Sequence, residues 1–178
     1  IAWEDTQANL AHFGELLHQL PPTDIVVLPE MFSTAFSSNA TALAETTDGP
    51  TLQQVKQWAN QYQCAFVGSF IAQEDNQYYN RGFFVEPTGN IHFYDKRHLF
   101  FGGEETYFTP GNNNTIVSYK GWNIALSICY DLRFPVWLRN DHLKYDILMV
   151  VAEWPTNRQH IFETLLAARA IENQAYVC

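Results

Sequence analysis

The sequence has 178 residues, 47% of them hydrophobic and 15% aromatic, which is enough to bury one sizeable core in a single domain over residues 1–178. Acidic residues outnumber Lys and Arg by 19 to 10, and the formal charge of −9 argues against nucleic acid or an anionic membrane surface as partner, because both are bound through clustered Lys and Arg. No stretch approaches the roughly 20 apolar residues of a membrane-spanning helix, so the composition favours small-molecule chemistry.

The three cysteines, Cys64, Cys129 and Cys178, form neither a metal-ligand spacing nor a disulfide framework. We therefore predict no metal site and a reducing cytoplasm as the location. The ends of the chain predict a fragment of a longer protein. Ile1 is not an initiator Met and does not open a signal peptide, and residues 175–178 resemble the beginning of a strand that is cut off.

Apolar residues at helical spacing predict a first amphipathic helix over residues 6–20, which ends at two prolines. The apolar run at residues 25–28 predicts a buried strand that delivers Glu30 at its end. Glu30 is either a cap of the next turn or a functional carboxylate. The loop that follows contains Phe32 and Phe36 and is expected to line a pocket.

The middle of the chain predicts a second amphipathic helix over residues 52–62 and then a meander of strands. Strands are predicted over residues 65–71 and 81–86, and a further strand ends just before Lys96. Residues 100–108 are too rich in glycine and acidic residues for a regular element. They predict an active-site loop.

A hairpin is predicted from strands over residues 116–119 and 122–128, and the second, apolar strand stops abruptly at Cys129. A helix is predicted from Pro135 to about Lys144. Cys129 would then stand at a strand-to-helix turn, where the following backbone N–H groups favour a thiolate and can hold an oxyanion. It is a candidate nucleophile, although a lone cysteine is more often a small buried hydrophobe.

The continuous apolar run at residues 147–151 predicts a strand that is buried on both faces, as in a sheet covered by helices on each side. This strand ends at Glu153 and Trp154, and a last helix follows over residues 160–171.

Glu30, Lys96 and Cys129 thus all follow predicted strands. In an open α/β sheet such strand ends gather at one rim, where ligands bind. A carboxylate, an ammonium and a thiol supply the base, the cation and the nucleophile that acyl transfer from an amide requires.

Three segments of the sequence resemble the signature segments of the nitrilase superfamily of carbon–nitrogen hydrolases, in the same order and with fitting spacing. They are LPEMF at 28–32, DKRHLF at 95–100 and SICYDLRFP at 127–135. Within that superfamily the ω-amidase branch is the most similar. The sequence motifs that resemble this branch are EMFST at 30–34, GE at 103–104 followed by YFTPG at 107–111, and ARAIENQ at 168–174.

The resemblance implies an α/β fold, the α-β-β-α sandwich of the superfamily, truncated here at both ends by the loss of the first strand and of the C-terminal strands. It implies a homodimer that stacks two sandwiches. It also implies a cysteine-dependent amidase that needs no cofactor and hydrolyses monoamides of dicarboxylates, such as 2-oxoglutaramate or succinamate.

The resemblance also implies residue roles. Glu30 is the expected base, Cys129 the nucleophile that forms a thioester, and Lys96 the cation that stabilises the oxyanion together with the backbone N–H of Tyr130.

Further positions are expected to support these three residues. Glu104, or Glu105 if the loop is shifted by one, would position Lys96 and the substrate. Arg133 is expected to hold the free carboxylate of the substrate, unless it forms a salt bridge to Asp131 or another carboxylate. Phe32 and Trp154 are expected to contact the substrate.

Glu153 departs from the ω-amidase pattern, in which Asn is usual. Because a carboxylate would repel the negative end of the expected substrate, either Glu153 points away from the pocket or the substrate differs. The same three catalytic residues would also serve a carbamoylase, a nitrilase or a deaminated-glutathione amidase. A catalytically silent interaction module, or an inactive fragment of an active enzyme, is the remaining alternative.

Overall fold

The computed structural model describes all residues from 1 to 178. It contains two four-stranded sheets, in the orders β1-β2-β3-β4 and β5-β6-β7-β8. The strands are β1 (Ile25–Val27), β2 (Ala65–Glu74), β3 (Gln77–Val85), β4 (Ile91–Asp95), β5 (Ile116–Tyr119), β6 (Trp122–Ile128), β7 (Ile147–Val151) and β8 (Tyr176–Val177). The α-helices are α1 (Thr6–Leu17), α2 (Ala40–Leu43), α3 (Pro50–Tyr62), α4 (Glu104–Tyr107) and α5 (Gln159–Asn173).

The first sheet contains the predicted meander. Strand β1 lies parallel to β2, and β2, β3 and β4 pair antiparallel in sequence order. Strands β2 and β3 are longer than predicted because they run to a two-residue turn at Asp75 and Asn76. The positive φ values of this turn, 47° and 61°, match the right-handed twist of a hairpin.

The second sheet combines the hairpin β5–β6 with two parallel strands, β7 and β8. Strands β5, β6 and β7 have the predicted bounds. Four of the five residues of β7 are buried, in agreement with the prediction of a strand that is covered on both faces.

Three hydrophobic clusters define the layers. The first packs α1 and α3 on the outer face of the first sheet, with Val55 and Trp58 against Phe66. The second joins the two sheets, with Phe84 of β3 and Ile128 of β6 among its members. The third packs α5 on the outer face of the second sheet. This order confirms the α-β-β-α sandwich.

The predicted helix from Pro135 is wrong. A five-residue 3-10 helix, Cys129–Arg133, begins directly after β6. Only a single turn at Phe134 and a three-residue 3-10 helix, Asp141–Leu143, follow before β7. Backbone groups on either side of this short helix are bound by side chains instead. The Asn140 amide pairs with both the N–H and the carbonyl of Tyr145, and Asn173 accepts the N–H of Asn140. Such side-chain bonds compete with the helical ladder.

No helix of the structure has the length and hydropathy needed to cross a membrane.

Candidate active site

Glu30, Lys96 and Cys129 meet between the two sheets. Lys96 directly follows β4, Cys129 directly follows β6, and Glu30 lies three residues beyond β1. The Lys96 Nζ donates to Glu30 Oε1 at 2.8 Å, and both side chains are buried. The prediction that the three residues share the rim of one open sheet is wrong, because Glu30 and Lys96 follow strands of the first sheet and Cys129 follows a strand of the second. They converge because the two sheets stack face to face.

Glu104 is the second carboxylate on Lys96, at 2.7 Å from Nζ. It begins the single-turn helix α4, so the predicted irregular loop is partly wrong. The φ of Gly103 is 130°, which turns the chain into this helix. Glu104 is buried and also accepts the backbone N–H of Phe100 at 2.8 Å, whereas the alternative, Glu105, is exposed.

Asn80 of β3 completes the cluster, and the sequence reasoning missed it. Its Nδ2 donates to Glu30 Oε1 and to Glu104 Oε1, each at 2.8 Å. The only signal in the sequence is a polar residue directly before the strand predicted over residues 81–86, and β3 in fact includes it.

Burial and charge set the protonation of the site. Burial alone would lower the pKa of Lys96, but the carboxylates of Glu30 and Glu104 outweigh burial and raise it, so the ammonium is charged. Burial and the charge of Glu30 raise the pKa of the Cys129 thiol well above its usual range. This shift opposes the effect of the backbone N–H groups that favour a thiolate at the turn, so the sulfur needs a base. Burial also raises the pKa of Glu104.

The backbone is strained at Cys129 and directly after Glu30. Cys129 has φ 44° and Met31, the neighbour of Glu30, has φ 46°. Left-handed φ values are costly for residues other than glycine, and such strain concentrates at functional sites.

A buried carboxylate joins the turn of Cys129 to the end of β4. Asp131 accepts the Tyr94 hydroxyl at 2.7 Å, the His98 backbone N–H at 2.8 Å and the Ile128 backbone N–H at 3.2 Å. The predicted alternative of a salt bridge between Asp131 and Arg133 is therefore wrong. Arg133 is exposed and forms no ion pair, and its guanidinium lies 5.5 Å from the ring centroid of Trp154.

A cavity of about 150 Å³ opens beside Cys129. Its lining residues come from four segments of the chain: Phe36, Lys96, Phe100, Cys129, Tyr130, Arg133, Glu153, Trp154, Pro155 and Arg158. The structure thus places Tyr130, Arg133 and Trp154 on the wall of this cavity. Pockets for drug-sized ligands measure roughly 300–1,000 Å³, so this cavity suits a small substrate.

The prediction that Phe32 contacts the substrate is wrong. Its ring is fully buried in the first cluster. It packs against Phe13 at 5.4 Å and Phe83 at 6.1 Å between ring centroids. The side chain turns towards α1 and α3 because burial of a large aromatic ring stabilises the fold. Phe36, four residues later, lines the cavity instead.

Glu153 is one of the residues that line the cavity. Its backbone N–H donates to Glu30 Oε2 at 3.1 Å. Burial and the charge of Glu30 raise the pKa of the Glu153 carboxyl.

A second, more open groove of about 390 Å³ runs along the ends of β1 and β7 and has no ionisable lining residue. Of these two, only the smaller cavity is lined by ionisable side chains. No group of three His, Cys, Asp or Glu side chains is arranged to hold a metal ion.

Comparison with known proteins agrees with this geometry. A family model described as carbon-nitrogen hydrolase matches residues 1–178. The omega-amidase YafV of Yersinia enterocolitica is 44% identical over 180 residues, covering 99% of this chain and 69% of the relative. The 2-oxoglutaramate amidase of Bacillus subtilis is 35% identical over 160 residues, covering 86% of this chain and 61% of the relative.

Solved structures show the same fold. XC1258 from Xanthomonas campestris, a CN-hydrolase superfamily protein with an arsenic adduct in the active site, superimposes with a TM-score of 0.94 at 40% identity over 98% of this chain and 69% of that one. Nit3 of Saccharomyces cerevisiae, at 24% identity, has a TM-score of 0.85 over 99% of this chain and 70% of that one and supports the fold alone. The chain therefore belongs to the carbon–nitrogen hydrolase family, that is, to the nitrilase superfamily.

Proposed function

We propose that this protein is an ω-amidase, which hydrolyses the terminal amide of small dicarboxylate monoamides through a thioester on Cys129. The observation that carries the proposal is the buried cluster of Glu30, Lys96 and Glu104, which adjoins a half-buried cysteine on the wall of a small cavity. The relatives named omega-amidase and 2-oxoglutaramate amidase support the same reaction class.

In the first half of the reaction Glu30 acts as the base. Its charge acts on the Cys129 thiol and is one cause of the raised pKa of that thiol. Glu30 takes the thiol proton while the sulfur attacks the amide carbonyl carbon. Lys96 and the backbone N–H of Tyr130 stabilise the oxyanion. Glu104 holds the ammonium of Lys96 in place.

When the tetrahedral intermediate collapses, the C–N bond breaks and Glu30 returns the proton to the leaving nitrogen, so that ammonia departs. A water molecule then attacks the thioester and gives a proton to Glu30. The C–S bond breaks, the sulfur recovers a proton, and the carboxylic acid leaves. The sum is amide plus water to acid plus ammonia.

The charge of the cavity supports an acidic substrate. Arg133 and Arg158 line it, and neither forms an ion pair within the chain. Two unpaired guanidinium groups near the nucleophile suit a carboxylate at the far end of a short amide. A neutral amide or a neutral nitrile offers no such partner.

Ammonia release from succinamate and 2-oxoglutaramate tests the proposal, with a neutral amide of equal length for comparison. Cys129→Ala should abolish turnover, whereas Cys178→Ser, which changes an exposed free thiol, should not. Mass spectrometry during turnover should find the acyl group on Cys129. Ammonia release without any acyl adduct on Cys129 would contradict the proposed thioester intermediate.

The proposal includes a homodimer and a cytoplasmic location. All three cysteines are free, which suits a reducing compartment. Exposed apolar side chains on α5 and β8, Ile171 and Tyr176, together with Trp122, offer a surface that a second copy could cover. Light scattering on the purified protein tests the dimer, and a mass equal to one chain at micromolar concentration would contradict it.

A further inference from the structure

Asn80 is the one member of the buried cluster to which the proposed mechanism gives no task. It lies on β3, fully buried, with its side chain on the face towards Glu30. Its neighbour Arg81 turns the other way and pairs with Asp95 and Glu74. The backbone carbonyl of Asn80 also accepts the N–H of Lys96 at 3.0 Å. Asn80 therefore contacts three members of the cluster.

The four side chains form a closed ring. Asn80 Nδ2 donates to one oxygen each of Glu30 and Glu104 at 2.8 Å, and Lys96 Nζ donates to the same two carboxylates at 2.8 and 2.7 Å. Glu30 Oε1 receives both donors, whereas its Oε2 accepts only the backbone N–H of Glu153. The ring fixes the rotation of the Glu30 carboxylate and leaves Oε2 as the oxygen for the thiol proton.

The chemistry of this place in the ring suits an amide. Two acceptors face the side chain, so only the nitrogen end of Asn80 fits, and its two N–H groups serve one carboxylate each. A second cation here would neutralise the base, and an apolar residue would leave two carboxylates in mutual repulsion. The Asn80 Oδ1 is buried without a partner in the chain. An unpaired buried acceptor costs folding free energy. This cost indicates that Asn80 serves the reaction rather than the stability of the fold.

We propose that Asn80 is a positioning residue of the reaction: its amide clamps Glu30 and Glu104 around Lys96 and orients Glu30 towards the Cys129 thiol. Asn80 does not line the cavity, so it acts through Glu30 and Lys96 rather than on the substrate. This inference rests on the proposed function for its kinetic readout, but not for its test on the thiol.

Asn80→Ala and Asn80→Asp test the proposal. In both, kcat should fall about 10²-fold, as for a misplaced catalytic group, while KM stays within about twofold. The acid limb of kcat/KM should move to higher pH. The reason is that an N–H donor favours the charged carboxylate, and hydrogen bonds from Lys96 and Asn80 oppose the effect of burial on the pKa of Glu104. Glu30, Lys96, Cys129 and Glu153 are the other ionisable groups that face this cluster.

A second readout does not need amidase activity. The alkylation rate of Cys129 by iodoacetamide, followed against pH on the Cys129 peptide, should show the same shift in both variants. If wild-type protein hydrolyses no amide, the proposed function fails, while this measurement still tests Asn80.

Asn140→Ala is the matched control, because Asn140 is a buried asparagine with three side-chain hydrogen bonds away from the cavity. It should lower the melting temperature and leave KM and the pH profile unchanged. Wild-type kcat and an unshifted alkylation profile in the folded Asn80 variants would overturn the proposal. So would failure of both Asn80 variants to fold at a temperature where Asn140→Ala is folded, because Asn80 would then be a folding residue.

Discussion

At the scale of single residues, the cavity wall carries charges that no partner in the chain neutralises. Arg133 and Arg158 are cationic, Glu153 is acidic, and none of the three forms an ion pair. Lys96, by contrast, is held by two carboxylates. The unpaired charges are therefore available to the substrate and should set its preference.

Arg133→Ala should weaken hydrolysis of an acidic monoamide about 10- to 100-fold in kcat/KM, since a hydrogen bond to a charged group contributes about 1.5–3 kcal/mol. Hydrolysis of a neutral amide of similar size should barely change. The control is Arg139→Ala, which removes an exposed arginine that pairs with Glu172 away from the cavity. Equal losses on both substrates would assign Arg133 to structure.

Glu153→Gln should increase kcat/KM for the acidic monoamide about five- to tenfold, because removing a like charge from the wall relieves about 1 kcal/mol of repulsion. The neutral amide should be unaffected. A decrease on the acidic substrate would show that Glu153 makes a favourable contact with it.

The same variant has a pH-dependent effect on stability. The pKa of Glu153 is raised from 4.5 in the folded state, so the folded protein holds this proton more tightly than the unfolded chain. The stabilisation from this proton is thus fully present below pH 4.5 and is lost as the pH rises through the folded-state pKa of Glu153. Glu153→Gln should raise the melting temperature at pH 7 and leave it unchanged at pH 4.

At the scale of elements, the end of β4 is held from two sides. The N–H of Gly111 donates to the Lys96 carbonyl at 2.9 Å, and Arg97 donates to the Gly111 carbonyl at 3.1 Å. A Cβ at position 111 would overlap the backbone carbonyl of Asp95. Only glycine allows the two segments to approach this closely.

Gly111→Ala should cost about 1–3 kcal/mol of unfolding free energy through overpacking and lower kcat by displacing Lys96. Gly89→Ala is the control. It has φ 89° with no atom near a new Cβ, so it should cost about 1 kcal/mol from backbone strain and leave kcat unchanged. Denaturant titration and turnover of both variants separate the two effects. Equal kcat in both would mean that the contact does not hold Lys96.

At the scale of the whole molecule, the site depends on how the two sheets stack. The cluster between them joins Val67, Phe84 and Tyr94 of the first sheet to Ile124 and Ile128 of the second. Ile128 immediately precedes the nucleophile, so the packing of the core sets where Cys129 stands relative to Lys96.

Ile128→Ala should lower the unfolding free energy by about 2–5 kcal/mol because it leaves a cavity between the sheets, whereas Ile128→Val should cost about 0.5–1.5 kcal/mol. Turnover should fall with Ile128→Ala, since Cys129 loses its support. Denaturant unfolding measures the first effect. A cost for Ile128→Ala no greater than for Ile128→Val would mean that this side chain does not hold the sheets together.

The local pattern of the sequence was sufficient for most strands and for the three central residues. Strands β5, β6 and β7 have the predicted bounds because continuous or alternating apolar runs determine burial locally. Glu30, Lys96 and Cys129 were identified because each ends a strand and belongs to a recognisable segment. Arg133 and Trp154 also lie on the cavity, close to Cys129 or at the end of β7.

Only the tertiary structure decided the surroundings of these residues. Asn80 meets Glu30 across 50 positions of the sequence, and Lys96 meets Glu30 across 66. No pattern within one segment records such contacts. The inward turn of Phe32, the missing helix at Pro135 and the raised pKa of the Cys129 thiol have the same cause. Each depends on which distant side chains compete for burial, hydrogen bonds and charge, and that is settled only when the two sheets pack together.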